Sequence, residues 1–486
     1  MKSVQEDDAN APLFDDSTKK AYSNFVVVEV QPGYRTELVR LFKLAFPVYF
    51  AYILEFLPGT VCSALVGHLD SPDTNLYIDA AFLSATVTNI TALSIGFGLA
   101  TAMDTLCSQA FGAGKIEKLG IYMQSGFLVM GLALIPVFIL NYNCEALLLM
   151  INQDPQVAAL AGDFTRVTMA GIPFLFVYEL IKKLLQSQNV VIPMTFIALL
   201  GLGVNIIFGY YFTYHTSMGF LGAALGRVVG NMAMPMAIVP YFWYNQELTR
   251  KWWFGWQWEE AKNHARGFLL LGLPGMFMLL VEWWAFSILA FLAGLLPDGI
   301  EAASINTVLH SILTTNFMIF LGISVAANVR IGNCLGANQP CQARFIARLA
   351  WMSTACLGVI TGILITFLRH ELPKIFINNP RTIEHASFAL LFMVPMQFFD
   401  GLNGISQGIL RGLGRQHVGA VVNAIAYYMV GLPLAYVVGF MYEYDIEGVW
   451  AGMSTGSITA TIIYVVMIRS TQWQTMADKA RERVEK

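Results

Sequence analysis

The chain has 486 residues, 56% hydrophobic and only 13% charged, with a formal net charge of −3 and a mean hydropathy of +0.58. Soluble domains carry about 25% charged residues, so a water-soluble fold of this size has too little polar surface to cover so much apolar side chain. The net charge says little; the distribution of charge along the chain says more.

Residues 1–33, with "QEDDANAPLFDDSTKK", are polar and acidic and read as a disordered N-terminal tail. They lack the basic-then-apolar pattern of a cleaved signal peptide, so the first hydrophobic span itself directs insertion. Long runs of nearly uncharged residues follow, each a candidate transmembrane helix. They fall at roughly 41–67, 77–106, 119–141, 158–185, 190–214 and 219–245, and then at 267–297, 301–329, 345–368, 383–410, 417–440 and 447–469. The expectation is an all-α integral membrane protein of 12 helices, with a first lobe at 34–245, a linker at 246–266, a second lobe at 267–470 and a polar C-terminal tail at 471–486.

Basic residues set the orientation of such a chain. One set of loops carries Lys115 and Lys118, then Arg250, Lys251, Lys262 and Arg266, then Arg330 and Arg344, then Arg411 and Arg415. The alternate loops ("HLDSPDTNLYID", "YHTSMG", "LPDGIE", "YEYDIEG") have no Lys or Arg, and only the loop around "RHELPKIFINNPR" departs from the pattern. Both termini and the linker are therefore expected on the cytoplasmic side. Trp252, Trp253, Trp256 and Trp258 beside Arg250 and Lys251 read as an interfacial anchor. Six scattered cysteines make no CxxC pair and no metal-ligand spacing with histidine, so neither a disulfide framework nor a metal site is expected.

The two halves repeat one another. Pro47 and Glu55 stand in the same spacing as Pro274 and Glu282, at an offset of 227. Gly98 and Gly112 recur as Gly322 and Gly336 at an offset of 224, and "GAALG" (222–226) recurs as "GVWAG" (448–452). Six spans per copy give both copies one orientation, so the two six-helix lobes should be related by a pseudo-twofold along the membrane normal, with a substrate site near mid-depth.

Carboxylates within such spans demand an explanation. A charged acid at mid-bilayer costs about 2.5–3.5 kcal/mol on insertion scales. Glu282 lies in "VEWWAFSILAFLAGLLP", and Asp400 begins a stripe with Asn403, Gln407 and Arg411 along one helix. Both are expected to bind protons or cations. Glu55, the repeat partner of Glu282, is a candidate for a mirrored site in the first lobe. Asn306 and His310 share a face of the eighth span by spacing. Asp104 near Lys115 and Lys118, and Glu179 with Lys182 and Lys183, read as structural ion pairs. Nothing pairs a nucleophile with a base or forms a GxxxxGK[ST] loop, so neither an enzyme nor an ATP-driven pump is indicated.

The stretches "LVGHLD", "AMDTLCSQAFGAGK", "VEWWAFSILAFLAGLLP", "SVAANVRIGNCLGANQP" and "QGILRGLGRQ", in that order on their spans, resemble the multidrug and toxic compound extrusion (MATE) transporters of the eukaryotic type. The resemblance implies two lobes in a V shape and a secondary antiporter that exports organic cations in exchange for protons, without a cofactor. It implies proton and cargo binding at Glu282, an acid at Asp400, an asparagine on the substrate path at Asn89, and cavity aromatics at Trp283 and Phe286 beside Asn306 and His310. Departures from the family pattern are Ser287, His310 and Ser311, where relatives carry acids, and Asp70 in place of a glycine. A monomer in the plasma membrane rather than a vacuolar one is expected, with small organic cations and the bilayer as partners and no nucleic acid. Sodium coupling, or anionic and lipid-linked cargo on the same scaffold, are the alternatives.

Overall fold

In lipid every backbone N–H and C=O must be satisfied within the segment, and apolar runs of this length meet that demand as helices. The computed structural model describes residues 33–377 and 379–485; the acidic tail predicted at 1–33 lies, except for Gly33, outside the described residues. Among them, 12 helices are long and apolar enough to cross a bilayer. The first lobe holds α1 (Tyr34–Gly67), α2 (Thr74–Gly112), α3 (Glu117–Tyr142), α4 (Pro155–Ser187), α5 (Ile192–Tyr214) and α6 (Phe220–Tyr244). The second holds α7 (Trp258–Gly294), α8 (Gly299–Gly336), α9 (Pro340–Leu368), α10 (Pro380–Leu413), α11 (Gln416–Met441) and α12 (Asp445–Arg469). Residues read as a polar C-terminal tail form a further helix, α13 (Trp473–Glu485).

Local chemistry marks several of the boundaries. Asp154 caps α4 by accepting from the backbone N–H groups of Gln156 and Val157, with Pro155 at the first helical position. Asn379 and Pro380 start α10 in the same way. At the matching ends of α4 and α10, Asn189 (φ 62°) and Gly414 (φ 69°) turn the chain in the left-handed region, where only glycine and asparagine go readily. Two spans are locally widened into π-helix, at Asn89–Leu93 in α2 and at Ala424–Gly431 and Val437–Met441 in α11.

The repeat is visible in the contacts between lobes. Gly98 on α2 packs against Met276 on α7, and its counterpart Gly322 on α8 packs against Tyr49 on α1, the counterpart of Met276. Gly112 abuts the carbonyl of Asn333, while Gly336 abuts that of Gln109. Each contact thus occurs twice with the partners exchanged, which is the signature of a twofold relation. It confirms two six-helix lobes related by a pseudo-twofold.

These contacts lie between mid-depth and the face that carries the start of α1 and helix α13, the terminus face. On that face Thr105 donates to the carbonyl of Arg411 and Gln109 Nε2 to that of Gly412 at 3.0 Å. Toward the opposite face the core divides. One apolar cluster there is drawn from the first lobe only, around Phe164, Phe220 and Cys144. Another comes from the second lobe only, around Trp450, Leu309 and Met393. The lobes therefore form a V closed at the terminus face and parted at the other.

Candidate functional site

Glu282 sits in the middle of α7 and is buried, 7% exposed. It points neither at lipid nor at a lysine or arginine. Gln407 Nε2 on α10 donates to its Oε2 at 2.9 Å, and Asn423 Nδ2 on α11 donates to the same oxygen at 3.2 Å. Asn423 is set by two further bonds. Its Nδ2 also reaches the carbonyl of Met278, and its Oδ1 accepts from the Tyr464 hydroxyl of α12 at 2.6 Å. Asn423 directly precedes the π-helical stretch of α11, the kind of local widening often found at functional sites.

Asp400 is buried on α10, and its Oδ1 has no hydrogen-bond partner. Its electrostatic neighbours are Glu282 and Tyr427. The ring of Tyr427 stands 6.3 Å from that of Phe286, which stands 5.7 Å from that of His310. The second lobe thus brings Glu282, Asp400, Phe286 and His310 into one neighbourhood. Arg411, at the end of the predicted stripe, is an electrostatic neighbour of Glu282, but its guanidinium reaches Ser324 Oγ at 3.3 Å and leaves Nε without a partner. Asn403 turns away to Thr461 and the carbonyl of Ser457 on α12.

The first lobe is built differently. Glu55, expected as an open mirror of Glu282, is ion-paired: Lys182 Nζ lies 2.7 Å from its Oε2, and the Tyr178 hydroxyl donates to Oε1 at 2.7 Å. Lys182 also meets Glu179 at 2.6 Å, and Lys183 bridges Glu179 at 3.8 Å and Asp104 at 3.0 Å. The result is one buried chain, Glu55–Lys182–Glu179–Lys183–Asp104, across α1, α4 and α2. Asp104 accordingly pairs with Lys183 rather than with the nearby Lys115 or Lys118, because the lysines of α4 project into the lobe while those two lie beyond the end of α2. The Glu179 pairs are present as expected, but as links in a chain between helices.

The remaining predicted residues are dispersed. Asn89 is exposed at the π turn of α2. Trp283 is half-buried on α7. Asn306, one turn from His310, is buried while His310 is exposed beside Phe286, so the two do not share an environment and only His310 adjoins the site. In the predicted anchor Trp252 is buried, whereas Trp256 and Trp258 are exposed and stacked with centroids 5.0 Å apart. Asn423, Tyr427 and Tyr464 were not singled out from sequence. Nor was Glu37 on α1, whose carboxylate meets Arg330 of α8 at 2.7 Å. Among the described residues no cluster of His, Cys, Asp or Glu has a metal-binding arrangement.

Comparison with known proteins agrees with this architecture. The family model MatE matches twice, over residues 47–211 and 274–437, and the two matches begin at Pro47 and Pro274, the residues that mark the repeat. The chain is 32% identical over 454 residues to multidrug and toxin extrusion protein 2 of Mus musculus, covering 93% of this chain and 78% of that one. It is 32% identical over 449 residues to multidrug and toxin extrusion protein 1 of Danio rerio, covering 92% and 75%. Among solved structures, the eukaryotic MATE transporter AtDTX14 superposes with a TM-score of 0.87 at 27% identity, over 93% of this chain and 100% of that one. The Vibrio cholerae transporter VcmN in its bent form shares the fold, with a TM-score of 0.77 at 18% identity over 93% and 99%.

Proposed function

The chain belongs to the MATE family, whose members are multi-pass membrane transporters and not enzymes, and from that premise we propose that it exports organic cations by proton-coupled antiport, with proton and cargo competing at Glu282 and Asp400. The observation that carries this reading is the composition of the Glu282 pocket. Two buried carboxylates share it, the direct partners of Glu282 are the neutral amides of Gln407 and Asn423, and one oxygen of Asp400 has no partner. Two negative charges in a low-dielectric pocket require counter-charge, and either protons or a cationic cargo can supply it. Phe286 and Tyr427 add aromatic faces suited to a flat organic cation, worth about 0.5–2 kcal/mol.

The V gives the competition a direction. On this reading, with the basic loops and termini on the cytoplasmic side, the open mouth of the V faces the outside, where protons from the medium displace cargo. Closing that side and opening the terminus face would expose the protonated pocket to the cytoplasm, where protons leave and a new cation binds. The chain carries both lobes and works as a monomer in the plasma membrane. Buried carboxylates argue against anionic cargo.

The test is uptake of the fluorescent cation ethidium into proteoliposomes under an imposed pH gradient, with a sodium gradient as the second arm. Wild-type protein is expected to accumulate dye when protons run out of the vesicle, and Glu282→Gln to lose this drive. Full exchange retained by Glu282→Gln would remove Glu282 from the mechanism, and accumulation driven by sodium alone would replace the coupling ion. Since protons compete with cargo, dye binding should weaken as pH falls.

A further inference from the structure

The ammonium of Lys182 is fully buried and lies inside a cage. Glu55 Oε2 stands 2.7 Å away and Glu179 Oε2 2.6 Å away, while the ring centroids of Tyr52 and Tyr178 lie at 4.4 and 5.4 Å. Two carboxylates and two aromatic faces are the chemistry with which proteins receive a free organic ammonium ion. Here the ion is the protein's own side chain.

The repeat shows what stands at this place in the other lobe. Asn189 and Gly414, the left-handed residues that end α4 and α10, align these helices at an offset of 225. At that same offset Lys182 corresponds to Gln407, and at the offset of 227 that relates α1 to α7 Glu55 corresponds to Glu282. The same pair of positions is in contact in both lobes, Glu55 with Lys182 at 2.7 Å and Glu282 with Gln407 at 2.9 Å. The paired contact is therefore kept while its charge changes: Lys182 fills the first site with a cation and Gln407 leaves the second without one. The other cage members Tyr52, Tyr178 and Glu179 are matched by Leu279, Asn403 and Gly404.

We propose that Lys182 is a resident cation that occupies an organic-ammonium site of the first lobe, confining cation exchange to the second lobe, and that its removal opens the Glu55 cage to a free ammonium ligand. The proposal rests on the reading of Glu282 as the exchange site. It also explains why α4 carries two buried lysines where its counterpart α10 carries Gln407 and Gly408. Lys183 is needed elsewhere, on Asp104, and leaves Glu55 to Lys182.

The experiment measures equilibrium binding of tetraethylammonium to the purified full chain in nanodiscs. Lys182→Gln is expected to gain a second bound equivalent over wild type, which adding Glu55→Gln removes. A monodisperse, helical Lys182→Gln protein with no additional equivalent would overturn the proposal. Glu282→Gln is read separately and should remove the first equivalent; if it does not, the exchange-site reading fails while the Lys182 result stands. Should Lys182→Gln not fold, the reverse exchange decides. Gln407→Lys places an ammonium against Glu282 and should bind at least about tenfold more weakly than the uncharged Gln407→Met, a difference of about 1.4 kcal/mol. Equal affinities of those two variants would overturn the proposal.

Discussion

Tyr464 does not touch Glu282, yet it determines how Asn423 meets the carboxylate. An asparagine amide presents a donor on one side and an acceptor on the other. With the Tyr464 hydroxyl donating to Oδ1 at 2.6 Å, Nδ2 is left to face Glu282. Tyr464→Phe removes that bond and permits the amide to turn its oxygen to the carboxylate. A hydrogen bond of this kind contributes about 0.5–1.5 kcal/mol. On the proposal that cargo binds the ionised carboxylate, the concentration for half-maximal dye uptake should rise about two- to tenfold, with the maximal rate less affected. An unchanged half-saturation concentration would mean that Asn423 holds its orientation through Met278 alone. That Glu282 and Asp400 stand as acids within apolar runs was legible in the sequence, and both are buried. Their partners were not, since Gln407 and Asn423 lie 125 and 141 residues away from Glu282. Glu55 shows the same limit from the other side. Its place in the repeat was legible, but the lysine that neutralises it lies 127 residues on and, by spacing, resembles a local partner of Glu179.

At the scale of elements, α2 and α8 approach closely because glycine stands at both crossing points near the terminus face. A methyl group on Gly112 would overlap the carbonyl of Asn333, and one on Gly336 that of Gln109. Both obstacles are backbone atoms and cannot rotate aside. Gly112→Ala and Gly336→Ala should each push the lobes apart on this face, and the double variant more so. Labelling of a cysteine introduced at Ser108, which is buried against Gly332, should then become faster by an order of magnitude or more, since about 1.4 kcal/mol per tenfold is readily supplied by such overlap. Unaltered labelling would show that the helices reach the closed position by another packing. The spans themselves were legible because hydropathy and length specify a membrane helix almost alone. The π-helical stretches were not, as nothing in "AIAYYMVG" or "NITAL" distinguishes a wide turn from a normal one. Nor was α13: its polar residues suggest a tail, yet Trp473, Met476, Ala477, Ala480 and Val484 form a buried stripe, and such short amphipathic helices depend on the surface that receives them.

For the whole molecule, the closed face is held by interactions that join the lobes directly and through α13. Glu37 of the first lobe is 1% exposed and pairs with Arg330 of the second, which is itself buried. The last helix straddles the seam. Trp473, Met476, Ala477 and Ala480 pack into a core drawn mainly from the second lobe, and Val484 into one drawn mainly from the first. Arg483 reaches Gln109 Oε1 in the first lobe and the carbonyls of Leu413 and Gly414 in the second, each at 3.3 Å. To open this face, the molecule must break the Glu37–Arg330 pair and detach α13 from one lobe. Removing one partner of a buried ion pair costs about 3–5 kcal/mol; here Arg40, 3.0 Å from the same carboxylate, and Gln342 lower that cost, which falls only on the closed arrangement, where the pair is made. Reversing a 1:99 equilibrium takes about 5.5 kcal/mol, so Arg330→Gln alone should bring the two arrangements to comparable populations. Arg330→Gln combined with deletion of α13 should favour the open one. Spin labels at Glu117 and Arg344, both exposed near this face, in a chain whose exposed Cys341 and Cys356 are changed to serine, would report the change as a second, longer distance. A single unshifted distance in the combined variant would show that the glycine crossings close the face without help from either device. Ethidium transport then separates the two roles a latch can have. If opening this face limits turnover, Arg330→Gln raises the rate; if the closed state must persist long enough for protons to displace cargo, it uncouples uptake from the pH gradient.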